Sequence, residues 1–407
     1  MTDAVPLTQA PLIVLAAGGT GGHVFPAEAL AQELLAQGYR LALITDQRGE
    51  RYGGTLGLID KHFVRASALA GRNALGKVMG LIDLAVGTAQ ARAILKRIAP
   101  AAVVGFGGYA AAPTMLAAIS LNVATAIHEQ NAVLGWVNRT LATRVNRVCT
   151  SFDLSRPAPE RAHVVRTGLP VRAAVAAVRA IPYEAPKAAG PVRLLVLGGS
   201  QGARVFSDVL PAAVKLLPQA LRHRIEISQQ CRPEEIDRTM ADYTGTGVHV
   251  ELRHFFDNVP ELLAKAHLLI ARAGASTVAE VTISGRPSLL VPYPFAADDH
   301  QTANAKALIT AGGGWMLAQP DFTPEALAKL LTTIVDDPQQ LSDVAARAQQ
   351  FSIVDAASRI ADVVGGLVPN KNGARHHRAA AGVPMSATIT ALNRDHTMNR
   401  RMTRGAA

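Results

Sequence analysis

The feature that most constrains the fold is an apolar strand that runs directly into a glycine-rich loop, and the chain contains it twice. The first copy is "LIVLAAGGTGGH", Leu12 to His23, and the second is "RLLVLGGSQGAR", Arg193 to Arg204. Gly199 follows Gly19 by 180 residues. Two such turns at a domain-sized separation predict two similar α/β domains.

Short apolar runs alternate with helical patterns between and after these loops. They are "LALIT", "AAVVGF", "VATAI" and "RVCTS" in the first half, and "RIEIS", "VHVEL", "HLLIA" and "PSLLVP" in the second. This alternation is typical of parallel sheets that are covered by helices. The uncharged stretch 101–127 is long enough for a membrane span, but its glycines, Pro113 and Asn122 divide it into strand, turn, helix and strand.

The domain boundaries follow from breaks in this pattern. Residues 167–191 carry four prolines and lose the strand pattern, so we place the domain link there. We predict a first domain at 1–170, a second at 171–351, and a helix at about 352–367 that packs back on the first domain or stays with the second. The formal charge is +10, and residues 371–407, with seven basic residues against one acidic, are predicted to be a disordered basic tail.

Composition excludes several classes of protein. The two cysteines, Cys149 and Cys231, form no CxxC pair and no His cluster accompanies them, which argues against a disulfide framework and a zinc site. They fit a reducing cytoplasm. No basic region precedes the first apolar stretch, so we expect no secretion signal. Aromatic residues make up only 4% of the chain and no nucleic-acid motif is visible, so we expect no nucleic-acid partner.

Both glycine loops, Gly18–Gly22 and Gly198–Gly202, are typical of phosphate sites, because backbone N–H groups and the following helix N-terminus attract anions. An NAD(P)-dependent oxidoreductase is one alternative, since Asp46 ends the second apolar run where an acid would grip a ribose. The GxGxxG spacing fails, however, because Val24 and Gln201 stand where glycines are needed.

Polar side chains follow four of the predicted strands, at the sheet edge where ligands bind in open parallel sheets. Glu280 shares a helical face with two hydroxyl residues and suits the diol of a ribose, whereas amides one turn apart suit sugar hydroxyls. Helix capping is the alternative for several members of the set. The set comprises His23; His128, Glu129, Gln130 and Asn131; Ser276, Thr277 and Glu280; and Asp298, Asp299, His300, Gln301 and Asn304.

Seven motifs, taken in order, resemble the MurG family of bacterial peptidoglycan glycosyltransferases, which is family 28 of the two-domain GT-B class. They are "GGTGGH", "GFGGY", "HEQN", "TGLPVR", "GGSQGAR", "ARAGASTVAE" and "DHQTANA". The motifs cover residues 12 to about 305, and the flanking pattern reaches about 367. The resemblance implies an α/β fold of two Rossmann-like parallel-sheet domains that face each other across a cleft. It also implies that the enzyme moves GlcNAc from UDP-GlcNAc to the C4 hydroxyl of MurNAc in undecaprenyl-diphospho-MurNAc-pentapeptide (lipid I), with inversion, giving lipid II and UDP. No cofactor or metal is expected.

The resemblance places the donor in the second domain. Glu280 would hold the ribose hydroxyls, the backbone around Phe256 would contact uracil, and Arg172 would lie close to the nucleotide. The other positions assigned to the donor are Ser200 and Gln201 at the diphosphate, Ala275 and Ser276 at the helix start, and His300, Gln301 and Asn304 at the GlcNAc hydroxyls.

The first domain would hold the acceptor. Thr20, Gly21 and Gly22 would lie around the diphosphate of the acceptor lipid, and Asn131 would approach the sugars from the cleft wall. These four residues are also assigned to donor binding. His23, Gly107, Gly108 and Tyr109 would complete the acceptor site. Because an imidazole can accept a proton near neutrality, His23 is the hypothesis for the catalytic base, with His128 and Glu129 as rivals.

A lipid acceptor implies a peripheral enzyme at the cytoplasmic face of the bacterial inner membrane, with other cell-wall synthesis proteins as further partners. Residues 65–97 are a candidate surface for anionic lipid, although a core-facing amphipathic helix is the alternative. This segment contains Leu75, Val78, Met79 and Ile82 together with Arg72, Lys77, Arg92, Lys96 and Arg97. The remaining alternatives for the function are a UDP-GlcNAc 2-epimerase, another GT-B transferase and a non-catalytic nucleotide-sugar sensor.

Overall fold

The computed structural model describes residues 10–19, 21–67, 74–199 and 203–368. Two separate sheets form the centre of the molecule, and every strand pairing in these ranges is parallel. The predicted fold class, two parallel-sheet α/β domains, is therefore confirmed.

The first sheet has the order β3-β2-β1-β4-β5-β6-β7. Apolar side chains cover both of its faces, as expected for a parallel sheet between two layers of helices. Its strands are β1 (Leu12–Ala16), β2 (Arg40–Thr45), β3 (Asp60–Phe63), β4 (Ala102–Gly105), β5 (Ala124–Glu129), β6 (Arg147–Thr150) and β7 (Val164–Arg166).

The second sheet has the order β10-β9-β8-β11-β12-β13, which repeats the arrangement of the first six strands. In both sheets the strand order reverses beside the first strand of the domain, and this reversal point is where doubly wound sheets bind ligands. The strands are β8 (Val192–Leu197), β9 (Ile225–Gln230), β10 (His249–Arg253), β11 (Leu268–Ala271), β12 (Ser288–Leu290) and β13 (Trp315–Met316).

Helices connect the strands on both faces of each sheet. In the first domain they are α1 (Gly21–Ala36), α2 (Gly54–Leu58), α3 (Ala74–Ile98), α4 (Gly108–Ser120) and α5 (Trp136–Leu141). The link contains α6 (Ala173–Ala177), and the second domain contains α7 (Arg204–Leu216), α8 (Gln219–Arg222), α9 (Ile236–Tyr243), α10 (Val259–Lys265), α11 (Ala275–Ser284), α12 (His300–Thr310), α13 (Pro324–Val335) and α14 (Pro338–Phe351), before α15 (Ala356–Gly365).

Two of the late helices begin as their sequences dictate. The Thr323 hydroxyl accepts a hydrogen bond from the Ala326 N–H at 3.2 Å, and the Asp337 carboxylate accepts one from Gln340 at 2.9 Å. A proline follows each capping residue, at the first helical position, where its missing N–H costs nothing.

The last helix returns to the first domain. Ile360, Ala361 and Val364 of α15 are fully buried in the core that β1 and α1 form. The chain therefore passes between the domains twice, once through the link and once before α15. The link itself is partly helical, because α6 and a short 3₁₀ turn at 178–180 occupy its centre.

Every strand that the apolar runs predict is present. The uncharged stretch 101–127 forms β4, the glycine turn, α4 and β5, as predicted. The structure adds three strands that the sequence did not predict, namely β3, β7 and β13, and all three lie at sheet edges.

Candidate functional site

The candidate site lies where the carboxyl-edge loops of the two sheets meet. The loop after β5 contacts α12, which follows β12 of the other sheet. Asn304 of α12 accepts a hydrogen bond from the Ala132 N–H at 2.8 Å and donates one to Asn131 Oδ1 at 3.1 Å. A second interdomain contact is weaker, with Arg139 Nη2 4.0 Å from Asp298 Oδ2. These contacts form one wall of an interdomain cleft.

Asn304 serves this domain contact in the structure. Its side chain is fully buried, and its second amide N–H donates to the Ala273 carbonyl at 3.1 Å. Both N–H groups of the Asn304 amide are therefore used. The sequence assigned this residue to the GlcNAc hydroxyls, and in this conformation it offers them no free N–H.

Gln301 and His300 lie on the same helix start. Gln301 Oε1 accepts hydrogen bonds from the N–H groups of Ala273 at 3.2 Å and Tyr293 at 2.9 Å, so the side chain joins the loops after β11 and β12. With both lone pairs of that oxygen used, Gln301 has its amide N–H groups to offer a ligand. His300 is half-buried, as Gln301 is, and its Nδ1 lies 2.8 Å from the Ala297 carbonyl.

The two acids before this helix do not cap it through their side chains. Asp298 and Asp299 both have left-handed backbone conformations, each with φ of 52°, and Asp299 occupies the cap position of α12 without a side-chain bond to the helix. Asp299 is thus the N-cap residue of α12 by position, but neither acid bonds to the helix through its side chain. Left-handed conformations at two consecutive non-glycine residues cost free energy and are concentrated at functional sites.

Glu280 and Arg172, both assigned to the nucleotide, are brought together. Arg172 Nε and Nη2 donate to Glu280 Oε1 at 3.0 and 2.9 Å. Burial raises the pKa of Glu280 above its usual range, while the Arg172 guanidinium opposes this shift. The same guanidinium lies 5.9 Å from the centre of the Phe25 ring on α1. A chain of contacts therefore runs from Glu280 in the second domain to the helix that carries His23.

The start of α11 supplies backbone donors close to Glu280. Gly274 precedes the helix, and the first turn contains Ala275 and Ser276. The first N–H groups of a helix have no partner within it and carry the positive end of its dipole. This arrangement suits the negative charge of a diphosphate.

Phe256, assigned to uracil through its backbone, has a buried ring that the Arg253 guanidinium covers at 5.8 Å. The neighbouring Phe255 ring is 63% exposed. Because the Phe256 ring is packed inside, Phe256 itself can contact a base only through its backbone.

His23 lies inside the first turn of α1 rather than at its cap. Its Nδ1 is 3.1 Å from Gln130 Oε1, and a Cβ placed on Gly108 would lie 3.3 Å from its Nε2. Gly107 and Gly108 have φ of 77° and 69°, a conformation that favours glycine. The β4–α4 turn therefore passes beside the imidazole at Gly108, whereas a Cβ on Gly107 would lie 3.0 Å from the Asn138 amide.

The two rival bases are engaged elsewhere. His128 is fully buried, its Nε2 lies 3.0 Å from the Gly168 carbonyl, and burial lowers its pKa to about 4. The Glu129 carboxylate is buried and accepts hydrogen bonds from Asn131, Gly135 and Asn138. Glu129 thus shapes the loop that carries Asn131, so the geometry favours a structural role for both rivals.

Tyr109 and Asp46 both contact Arg48. The Arg48 guanidinium covers the Tyr109 ring at 5.1 Å and donates to the Asp46 carboxylate. The N–H of Arg48 also donates to Asp46 Oδ1 at 3.1 Å. Because this carboxylate is already occupied and buried, it is not placed to grip a ribose, which removes the observation on which the oxidoreductase alternative rested.

Gly21 and Gly22 form the first two residues of α1. Thr20, Ser200 and Gln201 lie outside the described residues. Among the described residues, no group of three His, Cys, Asp or Glu side chains is placed to hold a metal ion.

Arg272 is a site residue that sequence reasoning missed. It follows β11 directly, donates to the carbonyls of Val291 and Pro292 and to Gln319, and lies 5.5 Å from the Tyr293 ring. A basic residue immediately after a buried strand was the available signal. Through its bonds to the Val291 and Pro292 carbonyls, the guanidinium holds the loop after β12 in place, on the donor side of the cleft.

Helix α3 carries an apolar surface outside the cleft. We call the exposed residues Val78, Met79, Leu81 and Ile82 the α3 patch; they are between 47% and 58% exposed. The segment Val78–Ile98 is long and apolar enough to cross a membrane by length and composition alone. In the structure this helix packs along α4 of the first domain.

Comparison with known proteins gives a consistent family signal over both domains. The glycosyltransferase family 28 N-terminal domain matches residues 13–150, and the glycosyltransferase family 28 C-terminal domain matches residues 193–360. A relative from Paramagnetospirillum magneticum is 56% identical over 369 residues, covering 90% of this chain and all of the relative. Its name is UDP-N-acetylglucosamine–N-acetylmuramyl-(pentapeptide) pyrophosphoryl-undecaprenol N-acetylglucosamine transferase.

Solved structures agree on the fold. The crystal structure of Acinetobacter baumannii MurG matches with a TM-score of 0.72 and 32% identity, covering 88% of this chain and 99% of that one. A UDP-GlcNAc 2-epimerase from Neisseria meningitidis, solved with UDP-GlcNAc bound, matches with a TM-score of 0.56 at 12% identity, covering 86% and 98%. The second likeness shows a shared fold alone.

Proposed function

The chain belongs to glycosyltransferase family 28 and is an N-acetylglucosaminyltransferase of peptidoglycan synthesis, and we propose that its reaction takes place in the cleft between the two sheets. The donor is UDP-GlcNAc, the acceptor is lipid I, and the products are lipid II and UDP. The observation that supports this location is the chain of contacts from Glu280 through Arg172 to Phe25, because it joins the donor domain to the helix of His23.

The proposed reaction is an inverting displacement. The C4 hydroxyl oxygen of MurNAc attacks C1 of GlcNAc on the face opposite UDP, and the C1–oxygen bond to UDP breaks. The hydroxyl proton passes to His23, and UDP leaves with the electron pair. A base that takes a proton in the transition state contributes about 10²- to 10⁴-fold to such a rate.

The departing UDP needs positive charge, and the second domain offers it through backbone dipoles. The free N–H groups of Ala275 and Ser276 and the N-terminus of α11 face a leaving diphosphate in this proposal. A helix N-terminus stabilises a negative charge by about 0.3 to 2 kcal/mol. We assign Ser200 and Gln201 to the same diphosphate, and the mechanism invokes no metal or cofactor.

The donor is oriented from its nucleotide end. In our proposal the Glu280 carboxylate, already paired with Arg172 through Oε1, accepts the ribose hydroxyls through Oε2, and the backbone at Phe256 receives uracil. Gln301 and His300 read the GlcNAc hydroxyls. Gln301 acts through its N–H groups, because its oxygen holds two backbone N–H groups.

The acceptor diphosphate is proposed to lie along the glycine turns of the first domain. Gly108 leaves space beside the imidazole of His23, and Gly107 precedes it in the same turn; we assign Tyr109 and Thr20 to the same diphosphate. Asn131, on the loop that Glu129 holds, approaches the sugars from the cleft wall.

The lipid part of the acceptor requires contact with a membrane. We propose that the α3 patch enters the surface of the bacterial inner membrane from its cytoplasmic face, as a peripheral contact. Arg92, Lys96 and Arg97 lie on the same helix, and each basic side chain near an anionic surface adds about 1 kcal/mol of attraction.

The decisive experiment measures conversion of lipid I to lipid II with radiolabelled UDP-GlcNAc. The wild-type chain is expected to form lipid II, and Glu280→Ala is expected to lose about 100-fold in kcat/KM for UDP-GlcNAc, because hydrogen bonds to a charged group contribute about 1.5 to 3 kcal/mol each. Glu261→Ala, which removes an exposed acid of the same domain, is the matched control and should retain wild-type turnover.

The same assay separates the alternatives. Epimerisation of UDP-GlcNAc without lipid II would show an epimerase, and binding of UDP-GlcNAc without turnover would show a sensor. Near-normal turnover of His23→Ala at saturating acceptor would contradict the base assignment while leaving the transfer reaction intact.

A further inference from the structure

The amide of Gln130 lies between two imidazoles, and this arrangement has a chemical consequence for the proposed base. We propose that Gln130 is a positioning residue that holds His23 in the tautomer with hydrogen on Nδ1 and a free lone pair on Nε2. The role of this tautomer in catalysis rests on the proposed function, whereas the tautomer itself can be measured without turnover.

Two backbone carbonyls fix the orientation of the Gln130 amide. Its Nε2 lies 3.0 Å from the Phe106 carbonyl and 3.2 Å from the His128 carbonyl. Carbonyl oxygens only accept hydrogen bonds, so the atom that faces them must be the NH₂ group. The other end of the amide, which faces His23, is therefore the oxygen.

His128 supports the same orientation from the other side. Its Nε2 lies 3.0 Å from the Gly168 carbonyl and must donate, so Nδ1 of the neutral ring accepts from Gln130 Nε2 at 3.2 Å. Burial keeps this imidazole neutral, because it lowers the pKa to about 4. His128 thus serves as a fixed acceptor that holds the amide.

The tautomer of His23 follows. Because Gln130 Oε1 can only accept, Nδ1 of His23 at 3.1 Å must carry the hydrogen. Nε2 of the neutral ring is then the basic nitrogen. It lies beside Gly108, where a Cβ would approach to 3.3 Å, and so faces the turn at which the acceptor is proposed to bind.

The order of these groups also suits a proton transfer. When Nε2 takes the hydroxyl proton, Nδ1 keeps its hydrogen and its bond to Gln130, so nothing in the network has to rearrange. Gln130 is 3% exposed, so water cannot easily replace it as the partner of Nδ1. The imidazole is held ready for the reaction rather than oriented during it.

The test is a histidine ¹⁵N NMR spectrum of the full chain, in which the two ring nitrogens report the tautomer directly, with the His23 signals assigned by their loss in His23→Asn. The wild type is expected to show His23 protonated on Nδ1. In Gln130→Met, which keeps the side-chain volume without the hydrogen bonds, His23 is expected to show a mixture of tautomers. Gln32→Met, on an exposed position of α1, is the control.

The kinetics of the same variants test whether the His23 tautomer affects catalysis. Gln130→Met is expected to lower kcat about 10- to 100-fold, within the range that a general base contributes, with KM for UDP-GlcNAc unchanged within twofold. A fall in kcat together with a tautomer mixture supports the positioning role.

A wild-type spectrum with hydrogen on Nε2 of His23 would overturn the inference, and it decides the matter even if Gln130→Met fails to fold. A shifted tautomer with unchanged kcat would leave the tautomer assignment standing and refute His23 as the base. The two failures are therefore distinguishable.

Discussion

Arg286 offers the sharpest test of what holds the donor domain together. Its side chain is 1% exposed and follows α11 directly. The guanidinium donates to carbonyls at the ends of α10, α11 and the 3₁₀ turn of the link, at 2.8 to 3.3 Å. The negative ends of several short helical segments thus converge on one positive charge. The five acceptors are Leu263, Ala264, Ser284, Gly285 and Ile181.

The expected effect of Arg286→Met follows from these bonds. Methionine fills much of the space but donates no hydrogen bond, so five carbonyls lose this donor, and the Leu263 carbonyl keeps a further partner, the Ala266 N–H. A buried polar group without a partner costs about 1 to 3 kcal/mol, and water that enters the site will satisfy part of the set. With about two carbonyls left unsatisfied, we expect the free energy of unfolding of the second domain to fall by about 2 to 6 kcal/mol.

The two tryptophans make a domain-specific assay possible. Trp136 lies on α5 of the first domain and Trp315 on β13 of the second, so in a Trp136→Phe background the fluorescence reports the second domain alone. Urea unfolding is then compared for Arg286→Met and for Arg238→Met, an exposed arginine whose ion pairs with Asp208 and Glu235 are screened by solvent, so that their loss should change the free energy of unfolding little. A loss below about 1 kcal/mol for Arg286→Met would refute the role assigned to its carbonyl contacts.

Three further predictions concern the base, the membrane and pH. Gly108→Ala should lower kcat at least about 10-fold, because the new Cβ would crowd His23 and a left-handed backbone costs a non-glycine residue about 1 to 2 kcal/mol. Gly38→Ala is the control, because Gly38 has a similar φ of 85° and its Cβ would meet nothing within 4 Å. Equal kcat values in the two variants would contradict the crowding of His23. Replacing all four residues of the α3 patch by serine should abolish flotation with anionic vesicles, whereas unchanged flotation refutes the membrane contact. The pKa values of His128 and His267 are both lowered to about 4 by burial, so the unfolded chain binds these protons first as pH falls through 6.5. Stability should therefore drop between pH 7 and pH 5, and His128 should contribute about 2 kcal/mol of that drop. Urea midpoints measured at both values should show a smaller drop in His128→Gln, and equal drops would contradict this origin.

The buried strands of both sheets could be predicted from the sequence, whereas of the edge strands only β10 could, from the run "VHVEL". A central parallel strand is covered on both faces and so reads as a continuous apolar run. The edge strands β3 and β7 are partly exposed, and their sequences "DKHF" and "VVR" show no such run. At β13 only two residues pair, which is too short for any pattern to be visible. The signal is therefore missing because of exposure at β3 and β7 and because of the short length at β13.

The positions of the site residues were predictable, but their hydrogen-bond partners were not. Strand ends indicate which side chains gather at the cleft, since the carboxyl ends of parallel strands share one edge. The direction in which Asn304 points depends on Ala132, 172 residues away in the chain. Likewise, the motif "HEQN" makes Glu129 a candidate for the catalytic base. Only its hydrogen bonds from the Gly135 N–H and the Asn138 amide show that it holds the loop in place. Residue type alone does not distinguish a polar group that binds a ligand from one that binds its own backbone.

The contacts of Asn304 set a condition on the catalytic cycle. Its two amide N–H groups hold Asn131 and the Ala273 carbonyl, and its oxygen holds the Ala132 N–H. A GlcNAc hydroxyl that accepts from this amide must therefore replace either the bond to Asn131 of the first domain or the bond to the Ala273 carbonyl of the second. Only replacement of the Asn131 bond weakens the interdomain contact, and the bond from the Ala132 N–H to the Asn304 oxygen can persist in both cases. Reading of the donor sugar by Asn304 is thus linked to the position of the Asn131 loop only when the Asn131 bond is the one that is replaced.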